Sequence, residues 1–129
     1  MIHARNAYEE ILQILEPLKL ESGTKLRGNV HFFAGDLEIA ERLFRIGFTL
    51  SFTGVITFAR DYDEVIKSAP LDMILSETDA PYVAPVPYRG KRNEPTFVRE
   101  VAKSIAEIRG EDEEVVRVAL VNNALSMIG

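Results

Sequence analysis

The chain has 129 residues, 47% of them hydrophobic and 27% charged, the profile of an ordinary globular protein of about one domain. Twenty acids against 15 Lys and Arg leave a net charge of −5, so no global basic field marks a nucleic-acid binder, and any contact with a polyanion must come from a local cluster. Without a single Cys, disulfides, thiol nucleophiles and thiolate metal sites are excluded, and a metal could be held only by His, Asp, Glu or water.

After Met1-Ile2-His3, residues 6–18 place Tyr8, Ile11, Leu12, Leu15 and Leu18 at helical spacing, with Asn6 as N-cap and Glu9 three residues on. "KLESGTK" (19–25) reads as a polar turn and "LRGNVHFF" (26–33) as a short strand ending near His31. Asp36 caps a helix with Leu37, Ala40, Leu43 and Phe44 on one side, and Gly47 stops it. "FTLSFTG" alternates Phe48, Leu50 and Phe52 with Thr49, Ser51 and Thr53, the clearest strand in the chain.

A short helix over 61–68 carries Tyr62, Val65 and Ile66; Pro70 ends it, and "LDMILSE" (71–77) reads as a buried parallel strand. Pro95 opens a helix to about Arg109 with Val98, Val101, Ala102 and Ile105 inward and Gly110 beyond it. A last helix, about 112–127, is expected to bury Val115, Val116, Ala119, Leu120 and Asn123 or their neighbours, with Asn123 structural through a cap-like bond to a loop. No apolar run approaches about 18 residues and no signal-like segment opens the chain, so a cytoplasmic location is expected.

Strands alternating with helices predict an α/β fold with a parallel sheet and right-handed crossovers, as a barrel or a doubly wound sheet. Both architectures put their chemistry at the C-terminal ends of the strands. No GxGxxG or P-loop pattern follows a strand, so nothing supports a nucleotide-phosphate cradle. His3, His31, Ser51 and Asp79 fall at or just past four successive strand ends and would converge on one rim. The two His are the only ones in the chain, and imidazole with carboxylate suits Zn²⁺, Mn²⁺ or Fe, whereas Mg²⁺ asks for more oxygen donors.

Each of these residues also has a plainer reading. A His at a strand end can bond locally, and Asp79 before Ala80-Pro81 can be a turn former. Glu77 can be a solvated acid, and Arg89-Gly90-Lys91-Arg92 an exposed charged loop rather than a phosphate contact. Ser51 and Thr53 are expected to fill a barrel interior, since no His lies next to Ser51 in sequence to activate it.

The stretch "ILSETDAPYVAPVPYRGKRNEP" (74–95) resembles the TatD family of metal-dependent hydrolases. "IHARNA" (2–7), "VHFFAG" (30–35), "LSFTGVITF" (50–58) and "NALSMIG" (123–129) extend the likeness over essentially the whole chain. The resemblance implies a TIM-barrel hydrolase with two divalent metal ions (Mg, Mn or Zn) that cleaves phosphodiester bonds of DNA. It implies His3, His31 and Asp79 as metal ligands and Glu77 as an active-site carboxylate that orients a ligand or passes a proton. Arg89, Arg92 and Asn93 match the family's RGxRNEP loop and are implied to orient the substrate or brace the site.

The family also uses a His-x-His pair on its first strand and a Glu on its fourth, and no such pair occurs here. Residues 1–129 therefore resemble the second half of the barrel as a single domain, beginning at the end of the fifth strand, with three of six metal ligands. The expectation that follows is weak or absent activity in isolation, and association either with an N-terminal half or with itself through unpaired strand edges.

Overall fold

A computed structural model describes residues 1–129. Strand and helix alternate as the patterning requires: β1 (Ile2–His3), α1 (Tyr8–Ser22), β2 (Gly28–His31), α2 (Leu37–Arg45), β3 (Phe48–Phe52), α3 (Asp63–Ser68), β4 (Ile74–Ser76), α4 (Val98–Arg109) and α5 (Glu113–Ile128). The strands form one sheet in the order β1-β2-β3-β4 with every pair parallel, Ile2 beside Val30, Val30 beside Leu50 and Leu50 beside Ile74. Each crossover moves the chain one strand along, which is the arrangement of half a (β/α)8 barrel.

Register and the two-residue pleat sort the side chains. Val30, Phe48, Leu50, Phe52 and Ile74 face the helices and form the core with Leu12, Leu43, Ile66, Val101 and Ile105, all buried. Gly28 makes room for this layer: a Cβ there would stand 2.5 Å from the Phe48 ring. His3, Asn29, His31, Thr49, Ser51 and Leu75 face the other way. All five residues of β3 are buried, so its alternation separates apolar from small polar side chains, not core from solvent. The buried polar groups satisfy one another: Asn29 donates to Thr49 Oγ1 at 3.0 Å and Ser51 donates to Asn29 Oδ1 at 2.8 Å.

Several boundaries differ from the sequence reading. Helix α1 begins at Tyr8 with Ala7 at its cap and no side-chain cap bond, so Asn6 is not the N-cap; it sits at φ +53, in the left-handed region that Asn tolerates. The helix then runs through Pro17 to Ser22, with Leu12 and Leu15 buried in the hydrophobic core, and only Gly23–Lys25 turn. Strand β4 covers Ile74–Ser76, with Leu71–Met73 forming a 3-10 turn after Pro70. Thr53 is buried but serves as a cap, accepting from Val55 N at 3.4 Å.

Asp36 does cap α2, accepting from Ile39 N at 3.0 Å, and left-handed Gly110 closes α4. In α5 Val116 and Leu120 are buried, whereas Val115 is exposed on the far side, as is much of Leu18 in α1. Asn123 donates to the carbonyls of Leu71 and Ile74, 2.8 Å each, and so seats α5 against the start of β4. No helix is long and apolar enough to cross a membrane.

Candidate metal centre

His3 and His31 are the last residues of β1 and β2 and are register partners, which brings their ring centroids to 5.6 Å. Glu77 continues β4 by donating its N–H to Phe52 O at 2.9 Å, and its carboxylate reaches across β3 toward β2. Only the small Ser51 and Thr53 stand on that side of β3 near its end, so the path is open. Glu77 Oε2 lies 2.7 Å from His31 Nδ1, and Oε1 accepts from Phe32 N at 2.7 Å. A carboxylate at this distance places the neutral ring's proton on Nδ1 and leaves the Nε2 lone pair free, the tautomer a metal ligand needs.

That Nε2 faces Asp79 Oδ1 across 3.5 Å, with no hydrogen bond between them. Asp79 sits three residues beyond β4 with φ +56, in a loop held by Asn93. The Asn93 side chain is buried and fully used: Nδ2 donates to Thr78 O at 2.8 Å and Tyr82 O at 2.6 Å, and Oδ1 accepts from Glu94 N at 2.9 Å. Gly54 lets this loop approach, since a Cβ there would meet Val83 O at 2.5 Å. The geometry thus gives Asn93 a bracing position. Arg89 and Arg92 are exposed, with the Arg89 guanidinium 3.7 Å over the Phe58 ring. Ser51, bonded to Asn29, stays below the rim and does not join the donors.

A cavity of about 500 Å³ opens beside His3 and Asp79. Its walls include Asn6, Phe32, Asp79 and Val83, which are all four of the chain's non-glycine residues with positive φ. Strained backbone gathers at functional sites because it holds only where surrounding contacts over-determine it. Tyr8 is another wall; its hydroxyl accepts from Ala34 N at 2.8 Å, and burial raises its pKa above the ordinary value. Arg5, Asn6, Tyr8, Phe32 and Val83 went unnoticed as site residues in the sequence. The signal available was their position one to five residues from His3, His31 or Asp79.

By donor chemistry these residues fit a divalent cation: two imidazoles and a carboxylate on one rim, one imidazole already oriented by a second carboxylate. By geometry the set is partial, for no group of three or more His, Asp or Glu side chains converges on one point.

A family model described as TatD related DNase matches residues 1–129. The uncharacterized metal-dependent hydrolase YabD of Bacillus subtilis (strain 168) is 43% identical over 111 residues, 84% of this chain and 42% of that protein. YcfH of Escherichia coli (strain K12), also an uncharacterized metal-dependent hydrolase, is 42% identical over 112 residues, 85% of this chain and 41% of that protein. The crystal structure of YJJV, a TatD homolog from Escherichia coli K12, matches with a TM-score of 0.84 and 31% identity, over 97% of this chain and 48% of that one. A TatD family hydrolase from Entamoeba histolytica shares the fold, with a TM-score of 0.82 at 20% identity. The chain spans about half the length of the curated relatives it matches. With the family model covering every residue and close relatives named as metal-dependent hydrolases, the chain belongs to the TatD-related DNase family.

Proposed function

We propose that the rim formed by His3, His31 and Asp79 binds divalent metal ions and belongs to a hydrolase that cleaves phosphodiester bonds of DNA in the cytoplasm. The observation that carries this reading is His31, held by Glu77 at 2.7 Å through Nδ1 while Nε2 faces Asp79. Divalent ions bound there would polarise a phosphoryl oxygen and lower the pKa of a water, so no nucleophilic side chain is required. Glu77 fixes the tautomer and orientation of His31 and is placed to take up or pass a proton. Asn93 holds the Asp79 loop, and the exposed Arg89 and Arg92 offer paired donors to the substrate's phosphates.

Three donors are fewer than the six the family resemblance implies, so residues 1–129 are expected to bind metal with modest affinity and to cleave DNA slowly or not at all. Addition of Mn²⁺ or Zn²⁺ to the chain with single-stranded DNA tests the reading. Metal binding that is lost in Asp79→Ala supports it, and metal binding indifferent to both Asp79→Ala and His31→Ala refutes it.

A second reading, a non-catalytic half-barrel that associates with itself, is favoured by the unpaired edges of β1 and β4 and by exposed Val118, Val121 and Leu125 on α5. A metal-independent dimer in size exclusion supports it, and a well-folded monomer opposes it.

A further inference from the structure

Two aromatic side chains line the cavity beside His3 and Asp79, and they differ in commitment. Tyr8 is occupied, packed on Phe33 at 5.4 Å and bonded to Ala34 through its hydroxyl. Phe32 lies outside the hydrophobic core, with its ring 6.1 Å from His31 and edge-on to it.

The backbone explains how it comes to be there. Phe32 has φ +49, so the strand pattern breaks immediately after His31: Phe33 turns into the core beside Phe52, and Phe32 faces the cavity. The conformation is held by the Phe32 N–H bond to Glu77. A bulky residue in the left-handed region is an outlier, and Asn or Gly would make the same turn with less strain. The turn alone gives no reason for an aromatic ring. The lining also includes Arg5, a cation engaged in no ion pair within the chain, and Asn6, while the volume of about 500 Å³ is that of a site for a compact organic group.

We propose that this cavity is a subsite for a nucleobase stacked on Phe32, the base belonging to a nucleotide whose phosphate lies toward the His and Asp donors and Arg5. The proposal rests on the phosphodiester reading above and names the part of the substrate that the reading leaves open. Stacking of a base on an aromatic side chain contributes about 1–3 kcal/mol, which corresponds to roughly 5- to 150-fold in affinity.

The test is a titration of the isotopically labelled intact chain, followed by NMR, with thymidine 5′-monophosphate, deoxyribose 5-phosphate and thymidine. Phe32→Asn removes the ring while suiting the left-handed backbone, so the variant is expected to fold at least as stably as the parent. Phe32→Tyr keeps an aromatic face. Thymidine 5′-monophosphate should shift amides in 3–8, 31–35 and 79–83, bind roughly 5- to 150-fold more weakly to Phe32→Asn, and bind Phe32→Tyr as it binds the parent. Deoxyribose 5-phosphate should not distinguish the three proteins.

The subsite is overturned if the monophosphate binds Phe32→Asn as tightly as the parent, if removing the base costs the parent nothing, or if the monophosphate does not bind. Monophosphate binding that ignores Phe32 removes the subsite and leaves the phosphodiester reading standing. Thymidine binding as tightly as its monophosphate, with both weakened in Phe32→Asn, supports the subsite while counting against that reading.

Discussion

Leu50 and Ser51 are neighbours in β3 and equally hidden, 0% and 3% exposed, yet they face opposite sides of the sheet and answer to different physics. Leu50 lies in an apolar layer shared with Val30 and Ile74, where shape and volume decide and another hydrophobe of similar size would serve. Ser51 belongs to a layer whose buried polar groups are partnered: Ser51 with Asn29, Asn29 with Thr49, and further up the strands the half-buried His31 with Glu77. The first layer holds the fold through the area it removes from water, the second through directed bonds that are costly to leave unmade. The sheet therefore separates stability from chemistry by side-chain parity.

That separation can be broken first on the apolar side. Leu50→Ala is expected to cost about 2–5 kcal/mol in denaturant unfolding, the range for emptying a fully buried Leu site. Metal affinity measured well below the unfolding midpoint should stay as it was. Near the rim the pattern should invert: Glu77→Gln is expected to weaken Zn²⁺ binding by roughly 10- to 100-fold, because His31 loses its charged acceptor. An unchanged zinc isotherm would remove Glu77 from the site. The smallest effect belongs to Ser51→Ala, which gives up the bond to Asn29 for about 1 kcal/mol of stability and leaves zinc affinity unaltered. If Ser51→Ala instead matched Glu77→Gln in calorimetry, the chemistry would extend deeper along β3 than the geometry places it.

The element order and the parallel sheet were legible because the period-2 run Phe48 to Phe52 and the capped helix after Asp36 announce themselves locally. His3, His31 and Asp79 were legible as rim residues because strand ends are where such folds carry polar groups, and the motif likeness singled out Glu77. Less could be read where tertiary packing overrode local signals, as when α1 ran through Pro17 and past Lys19 to Ser22. The cavity walls were illegible for a related reason. Nothing in "HFFAG" says which Phe turns inward; that is settled by the positive φ of Phe32, and hence by a carboxylate at position 77. Asn93 was read with Arg89 and Arg92 as orienting the substrate or bracing the site, and the sequence could not name what it would brace: its partners are carbonyls of residues 78 and 82, which only the folded loop brings to it.

The bond between Glu77 and His31 joins positions 46 residues apart and spans two strand pairings, so it closes only after β2, β3 and β4 have found their register. Contacts of such sequence separation are the slow part of folding, because chain closure entropy must be met before they form. Between closure of that bond and any earlier compact state, His31 has no partner to fix its ring and Phe32 none to hold its turn. The rim is thus a late event in the life of each molecule: a chain still searching for its sheet keeps His3, His31 and Asp79 apart, and only the finished sheet presents them together.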